Sequence, residues 1–178
     1  MTLGLGCAIR PAAAADVPAL CAFIFEHGPN PWNFLPATAV REHLQGIAEG
    51  TVQALLVEQG DRLAGFVTFL PSRQFNAYQP EGRRDLPQAY IGEAVVDRAL
   101  AGQGLGSALL QAAVAALASQ GIQDIYIERH EENPGSAGMM RKAGFVERST
   151  FDDPQRRAGG SRRTTLCYLR APTPVAEG

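Results

Sequence analysis

The chain has 178 residues, with 16 Lys and Arg against 18 Asp and Glu and a formal net charge of −2. That balance gives no general pull toward nucleic acid or acidic membranes, so any anion site must be local, and no run approaches the ~18 apolar residues of a membrane span. Cys7, Cys21 and Cys167 have no CxxC or metal-type spacing, which suits reduced thiols, no metal and a cytoplasmic setting. The start of the sequence lacks a basic region followed by a long apolar one, so export is not expected.

In chain order, residues 7–10 read as a short strand, and Asp16 as the N-cap of a helix that tolerates Pro18 in its first turn. Val17, Leu20, Phe23 and Ile24 form its apolar stripe, which ends near Gly28. Three prolines make 29–36 a loop carrying Trp32 and Phe34. Thr38 is placed to cap a second helix with Val40, Leu44 and Ile47, closed by Gly50. Residues 51–58 and 63–70 read as a hairpin around 59–61. A long loop, 71–87, then carries Phe75 and Tyr78.

Residues 90–96 form an apolar run with β-branched residues at its end, the pattern of a buried strand. Next comes the glycine segment 101–107, then a helix whose stripe is Leu105, Ala108, Leu109, Ala112, Ala116 and Leu117. Gly121 stops it, and 122–128 is a strand. A helix over 136–143, a strand over 145–151, an arginine-rich loop over 152–163 and a last strand over 164–170 complete the order, with a frayed tail from Ala171. The whole, 1–178, reads as one domain with its core at about 8–170.

A glycine loop feeding a helix start leaves unpaired N–H groups beside the positive end of the helix dipole, where anions and phosphates bind. Spacing separates the candidates. The dinucleotide fingerprint GxGxxG fails by one residue, because Ser107 holds the sixth place and Gly106 comes a step early. The P-loop fails because no Lys follows these glycines. A tight turn in which glycine only permits close packing is the plain alternative.

The segment resembles the acyl-CoA loop of the GNAT superfamily of N-acyltransferases, whose pattern is Arg or Gln, two residues, Gly, one residue, then Gly or Ala. Gly104 and Gly106 fit, while Ala101 departs from the first position. Asn133 and the pair Gly144-Phe145 match a second family motif, with Asn and Gly eleven positions apart. The element order also resembles the complete GNAT fold. The implied fold class is three-layer, α+β or α/β. It has a mixed, mostly antiparallel twisted sheet of about seven strands with helices on both faces, in the order β-α-α-β-β-β-α-β-α-β-β.

The resemblance implies acetyl-CoA as acyl donor and no metal. Its pyrophosphate would lie on the backbone of Ala101, Gly102, Gln103, Gly104, Leu105, Gly106 and Ser107, and its pantetheine arm would run beside Val95, Val96, Asn133 and Met140. A backbone N–H of Val95 or a neighbour would serve the oxyanion. Glu93 is the one ionisable residue within its apolar strand, where burial raises a carboxyl pKa toward that of a useful base. A strand-edge Glu facing water or an Arg is the alternative. Met140 stands seven residues after Asn133, where the family often has an acid Tyr, and its thioether carries no proton.

Substrate choice is expected from the loops, with Trp32, Phe34, Tyr78 and His130 as candidates. If the loop arginines bind, the acceptor carries an acid group beside its amine. Two functions follow. One is an N-acetyltransferase acting on a primary amine of a small molecule or peptide by direct attack on the thioester. The other, motivated by Met140 and Ala101, is a non-catalytic acyl-CoA-binding regulatory module. Neither needs nucleic acid or a membrane, and a homodimer is an allowed assembly.

Overall fold

The computed structural model describes residues 2–3 and 6–173. Its strands are β1 (Thr2–Leu3), β2 (Cys7–Pro11), β3 (Gln53–Gln59), β4 (Arg62–Pro71), β5 (Gln88–Val96), β6 (Asp124–His130), β7 (Val146–Asp152) and β8 (Arg163–Arg170). They form one sheet in the order β1-β2-β3-β4-β5-β6-β8-β7. Every neighbouring pair is antiparallel except β5–β6. The seven strands expected are all present, and the two-residue β1 is an addition at the edge. So short a strand has no periodicity for a sequence reading to find.

The helices are α1 (Val17–His27), α2 (Ala37–Glu49), α3 (Leu105–Ser119) and α4 (Pro134–Ala143). On one face, Leu109, Leu110, Ala113 and Leu117 of α3 and Met140 and Ala143 of α4 pack with Val67, Ile91, Ile125, Ile127 and Cys167. On the other, Leu20 and Ile24 of α1 and Val40 and Leu44 of α2 cover Leu56, Phe66 and Val95. Farther along, Phe75 stacks on Tyr126 at 4.6 Å and closes a third cluster with Leu166. The 72–87 loop, with its two short 3-10 turns, thus covers the C-terminal half of the sheet. Burying most large side chains of α1, α3 and these strands at roughly 1.5–3 kcal/mol each is what opposes the chain entropy.

Three local expectations need correction. Asp16 does not cap α1: its carboxylate accepts from the Ala13 N–H at 2.7 Å and from Arg10 at 2.9 and 3.0 Å. Arg10 also reaches Glu58 at 2.8 Å, so the ion pair outcompetes the cap. Thr38 lies inside α2, which starts from the extended Pro36 without a side-chain cap. The frayed tail does not begin at Ala171, which is buried and donates its N–H to Gln123 at 2.8 Å. Residues 174–178 of that tail lie outside the described residues.

Candidate active site

The parallel pair β5–β6 is in register only from Gln88↔Asp124 to Ile91↔Ile127. Beyond that point the strands part and the sheet opens as a wedge. A bulge at the same place supplies the bend: Val67 faces Ala94 and Phe69 faces Ile91, so Thr68 alone opposes Gly92 and Glu93. The Glu93 N–H, displaced from the ladder, donates to Thr68 Oγ1 at 2.9 Å. His43 Nε2 lies 2.7 Å from the same oxygen. Burial lowers the His43 pKa, which favours the neutral ring in this contact. A Cβ at Gly92 would sit 3.0 Å from two atoms of that ring, which explains the glycine. His43 is therefore a half-buried brace for the bulge.

Strand alternation then fixes which amides face the wedge. The Asp97 N–H donates to the Ala64 carbonyl at 2.9 Å, followed in register by the pairs Val96↔Gly65, Val95↔Phe66 and Ala94↔Val67. By alternation the Val95 amide is directed at β4, and those of Ala94 and Val96 are directed into the gap. Of the amides expected to serve an oxyanion, Val95 or a neighbour, those of the neighbours are the ones that face the gap.

On one side of the wedge is a groove of about 360 Å³ between the start of α3 and one face of α4. Val96, Leu100, Ala101, Gly102 and Gly104 to Ser107 form one wall, and Pro134, Gly135, Gly138, Met139 and Lys142 the other. Gly102 and Gly104 have φ of +81° and +83°, which lets the chain turn so that the helix mouth faces the groove. Gly106 has a different reason. A Cβ there would meet Met139 Sδ at 2.5 Å, and Ser107 Oγ donates to the Met139 carbonyl at 3.2 Å, so α4 is held against the α3 start.

The amides of Gly104, Leu105, Gly106 and Ser107 have no acceptor among the described residues. Gln103 departs from expectation: its N–H turns back to the Leu100 carbonyl at 3.4 Å, and it does not line the groove. Four free amides at a helix start, with Lys142 at the rim, fit the phosphates of a coenzyme A. Arg141 does not line the groove.

Asn133 and Gly144 turn out to be the two caps of α4. Asn133 Oδ1 accepts from the Ser136 N–H at 3.1 Å, and Gly144 closes the ten-residue helix at φ +98°. Their spacing of eleven positions is what two caps flanking a ten-residue helix require, and Phe145 then enters the core.

On the other side is a cavity of about 280 Å³. Its lining includes Tyr90, Glu93 and Val95 of β5, Glu128 to His130 of β6, Asn133 and Met140 near α4, Asn33 to Pro36, and Arg156 and Arg157. Burial pushes the Glu93 carboxyl up to about 7, with the Arg157 guanidinium pulling the other way. Burial, then the negative charges of Glu128 and Glu93, drive the Tyr90 hydroxyl upward. Glu128 is held by Arg156 at 2.8 Å and stands 3.5 Å from the Tyr90 hydroxyl.

The expected substrate residues divide. Phe34, 46% exposed, stands at the mouth of this cavity. Trp32 stacks on His130 with ring centroids 4.8 Å apart instead of lining it. His130 lines the cavity, but Nε2 meets the Gly159 carbonyl at 2.9 Å and Nδ1 accepts from the Glu132 N–H at 3.1 Å. With both nitrogens engaged by backbone it braces loops. Tyr78 lines a neighbouring recess, which shares Tyr90, Glu128 and Arg156 with the cavity. Phe75 and Tyr126 are core, and Tyr126 donates to Gln79 Oε1. Sequence reasoning missed Tyr90, Glu128 and Asn33 as lining, and the only signal for the first two was a polar atom within a strand.

A family model, Acetyltransferase (GNAT) family, matches residues 18–145. The chain belongs to the GNAT acetyltransferase family. Solved structures give the same fold. The ribosomal-protein-S18-alanine N-acetyltransferase from Escherichia coli superposes with a TM-score of 0.69 at 16% identity, covering 97% of this chain and 98% of that one. The IAA acetyltransferase from Bacillus cereus ATCC 14579 gives 0.68 at 14%, covering 92% and 99%. An acetyltransferase from Bacillus subtilis in complex with CoA gives 0.67 at 18%, covering 92% and 98%. No curated protein matches the sequence. Among the described residues no helix is long and apolar enough to cross a membrane, and no His, Cys, Asp and Glu group could hold a metal.

Proposed function

We propose that this chain is an N-acetyltransferase that moves the acetyl group of acetyl-CoA to a primary amine by direct attack on the thioester, with Glu93 as general base. The observation that carries this reading is the position of Glu93. A carboxyl that burial raises to about 7 lines the 280 Å³ cavity, the acceptor cavity of this reading, on the strand whose Val96 lines the 360 Å³ groove, its donor groove. A base poised there takes one proton from an arriving ammonium whose own pKa is near 10.

Acetyl-CoA supplies the thioester carbonyl. The free amides of Gly104 to Ser107 hold its pyrophosphate, Lys142 adds a positive charge, and Val95, Val96 and Asn133 flank the pantetheine arm. The Ala94 and Val96 N–H groups face the carbonyl oxygen as negative charge builds there. Glu93 accepts the ammonium proton, the amine nitrogen bonds to the carbonyl carbon, and the C–S bond breaks. The second nitrogen proton neutralises the departing thiolate. Met140, at the cavity wall, has no proton to give, so sulfur leaves without acid help. A thiol of pKa ~8.5 is a tolerable leaving group in that form.

The opposing reading, a non-catalytic acyl-CoA-binding module, rests on Met140 and Ala101. A thermal melt with saturating acetyl-CoA, with NAD and ATP as controls, separates binding from misreading. At about 100 times Kd the ligand adds ~2.7 kcal/mol and moves the midpoint by several degrees. Thiol release with a panel of amines then separates enzyme from binding module. A shift with acetyl-CoA alone and amine-dependent thiol release are the expected results. An equal shift with ATP or NAD sinks the cradle, and a shift without turnover supports the module.

A further inference from the structure

Five charged side chains line the acceptor cavity: Glu93, Glu128, Arg129, Arg156 and Arg157. Three of them are matched. Arg156 pairs with Glu128 at 2.8 Å and Asp153 at 2.9 Å, and Arg129 with Glu147 and the carbonyls of His130 and Glu131. Glu93 and Arg157 remain. Among the described residues the Glu93 carboxylate accepts no hydrogen bond, and no carboxylate lies within 4.0 Å of the Arg157 guanidinium.

Arg157 is nevertheless fixed in place. Its Nε donates to Thr164 Oγ1 at 2.8 Å, and that hydroxyl donates to Asp153 Oδ2 at 2.6 Å. Its backbone N–H donates to the Asp153 carbonyl at 2.9 Å. The Nη1 and Nη2 groups, which can grip a carboxylate side by side, have no protein acceptor among the described residues. A half-buried guanidinium oriented through Nε and left open at its fork is a preformed anion subsite.

We infer that Arg157 binds the carboxylate of the acceptor while Glu93 receives its amine, so that the substrate is a small amino-carboxylate of the free amino acid class. The inference rests on the acetyl-transfer reading above. A zwitterion is complementary to the two unmatched charges, whereas the N-terminus of a protein carries no carboxylate beside its amine. Burial and the charge of Arg156 both bear against the Arg157 cation, and an anionic guest relieves this.

The test measures thiol release from acetyl-CoA with the twenty standard amino acids, and then with the C-terminal amide and the decarboxylated amine of the best one. The expected result is a kcat/KM that favours the carboxylate by ~10–100-fold, the range of a charge-assisted bidentate pair. Arg157→Ala should collapse that ratio to within about threefold, and Arg157→Lys should retain part of it, since a point charge cannot replace the fork. An unchanged acetyl-CoA melt shift in both variants certifies their folding. Amides, simple amines or N-terminal peptides accepted as well as the carboxylate would overturn the inference alone, as would a ratio that Arg157→Ala leaves intact. Absence of an acetyl-CoA shift in the wild-type chain would overturn the acetyl-transfer reading and this inference with it.

Discussion

The two sides of the wedge are built from different materials. The donor groove is made of backbone: free amides at the start of α3, glycines that shape the turn, and α4 held close by Gly106 and Met139. Its parts lie within residues 96–142, in one stretch of sequence. The acceptor cavity is made of side chains from six separate places: the 33–36 loop, α2, β5, β6, α4 with its cap Asn133, and the 156–157 segment. In the proposed reaction, backbone donors would recognise what every acyl-CoA has in common, and side chains would select what differs between acceptors. If this contrast holds, acceptor-side substitutions should cost turnover and leave coenzyme binding alone, while donor-side substitutions should do the reverse.

The largest effect is expected at Glu93. Glu93→Gln should lower kcat/KM by 100-fold or more, in line with the ~10²–10⁴ of general base catalysis, with the acetyl-CoA melt shift preserved. In the wild-type chain kcat/KM should rise with pH through about 7 as the carboxylate forms. The same group has a signature in stability. Its folded pKa lies above the unfolded value of 4.5, so its contribution is fully present below pH 4.5 and is lost as pH rises through about 7. Glu93→Gln should therefore melt higher than wild type at pH 8 and show no such advantage below pH 4.5. A variant no more stable at pH 8 would mean that the carboxyl is better solvated than its burial indicates.

On the donor side, Gly106→Val puts branched carbon where Met139 Sδ already lies 2.5 Å from a Cβ position. Overpacking of this kind costs ~1–3 kcal/mol, and the displaced α4 should shrink the acetyl-CoA melt shift. Adding Met139→Ala frees the space and should recover part of the shift. No recovery would place the loss in the loop itself instead of in the α3–α4 contact.

Smaller again is Thr68→Val, which removes the acceptor of the Glu93 N–H and the partner of His43. An orphaned amide costs ~1–3 kcal/mol, and turnover should fall more than coenzyme binding because the bulge aims Glu93. Equal losses in both would mean that Thr68 supports the sheet generally and not the base.

What could be read from the sequence follows the same division. The glycine segment and the Asn133 to Gly144-Phe145 motif are local, so turn chemistry and helix caps betray them without a fold. Even so, the reason for Gly106 was out of reach, because Met139 meets it only after two helices pack. Glu93 was legible as a carboxyl in an apolar strand, but its bulge was not, since the extra residue shows only against Thr68 on the neighbouring strand. That the amides of Ala94 and Val96, and not that of Val95, face the gap was hidden for the same reason: register is a property of the pair. Arg157 stood among four arginines in one loop, and it is singled out only by the pairing of Arg156 and Arg163 with carboxylates and by its place in the cavity lining, from which the exposed Arg162 is missing.

The smallest expected change lies where the two sides meet. Met140 is buried and lines the acceptor cavity beside Asn133 and Ser136. A Tyr there brings a hydroxyl to the place from which sulfur departs. Its benefit is bounded by need: near pH 7 a thiolate of pKa ~8.5 gains from a proton donor, and near pH 9 it gains little. Met140→Tyr should thus raise kcat several-fold at pH 7, with the advantage fading toward pH 9, and the pH dependence distinguishes proton donation from improved packing. A uniform gain at both pH values would point to packing, and no gain with acetyl-CoA binding intact would mean that the leaving sulfur lies out of reach of position 140.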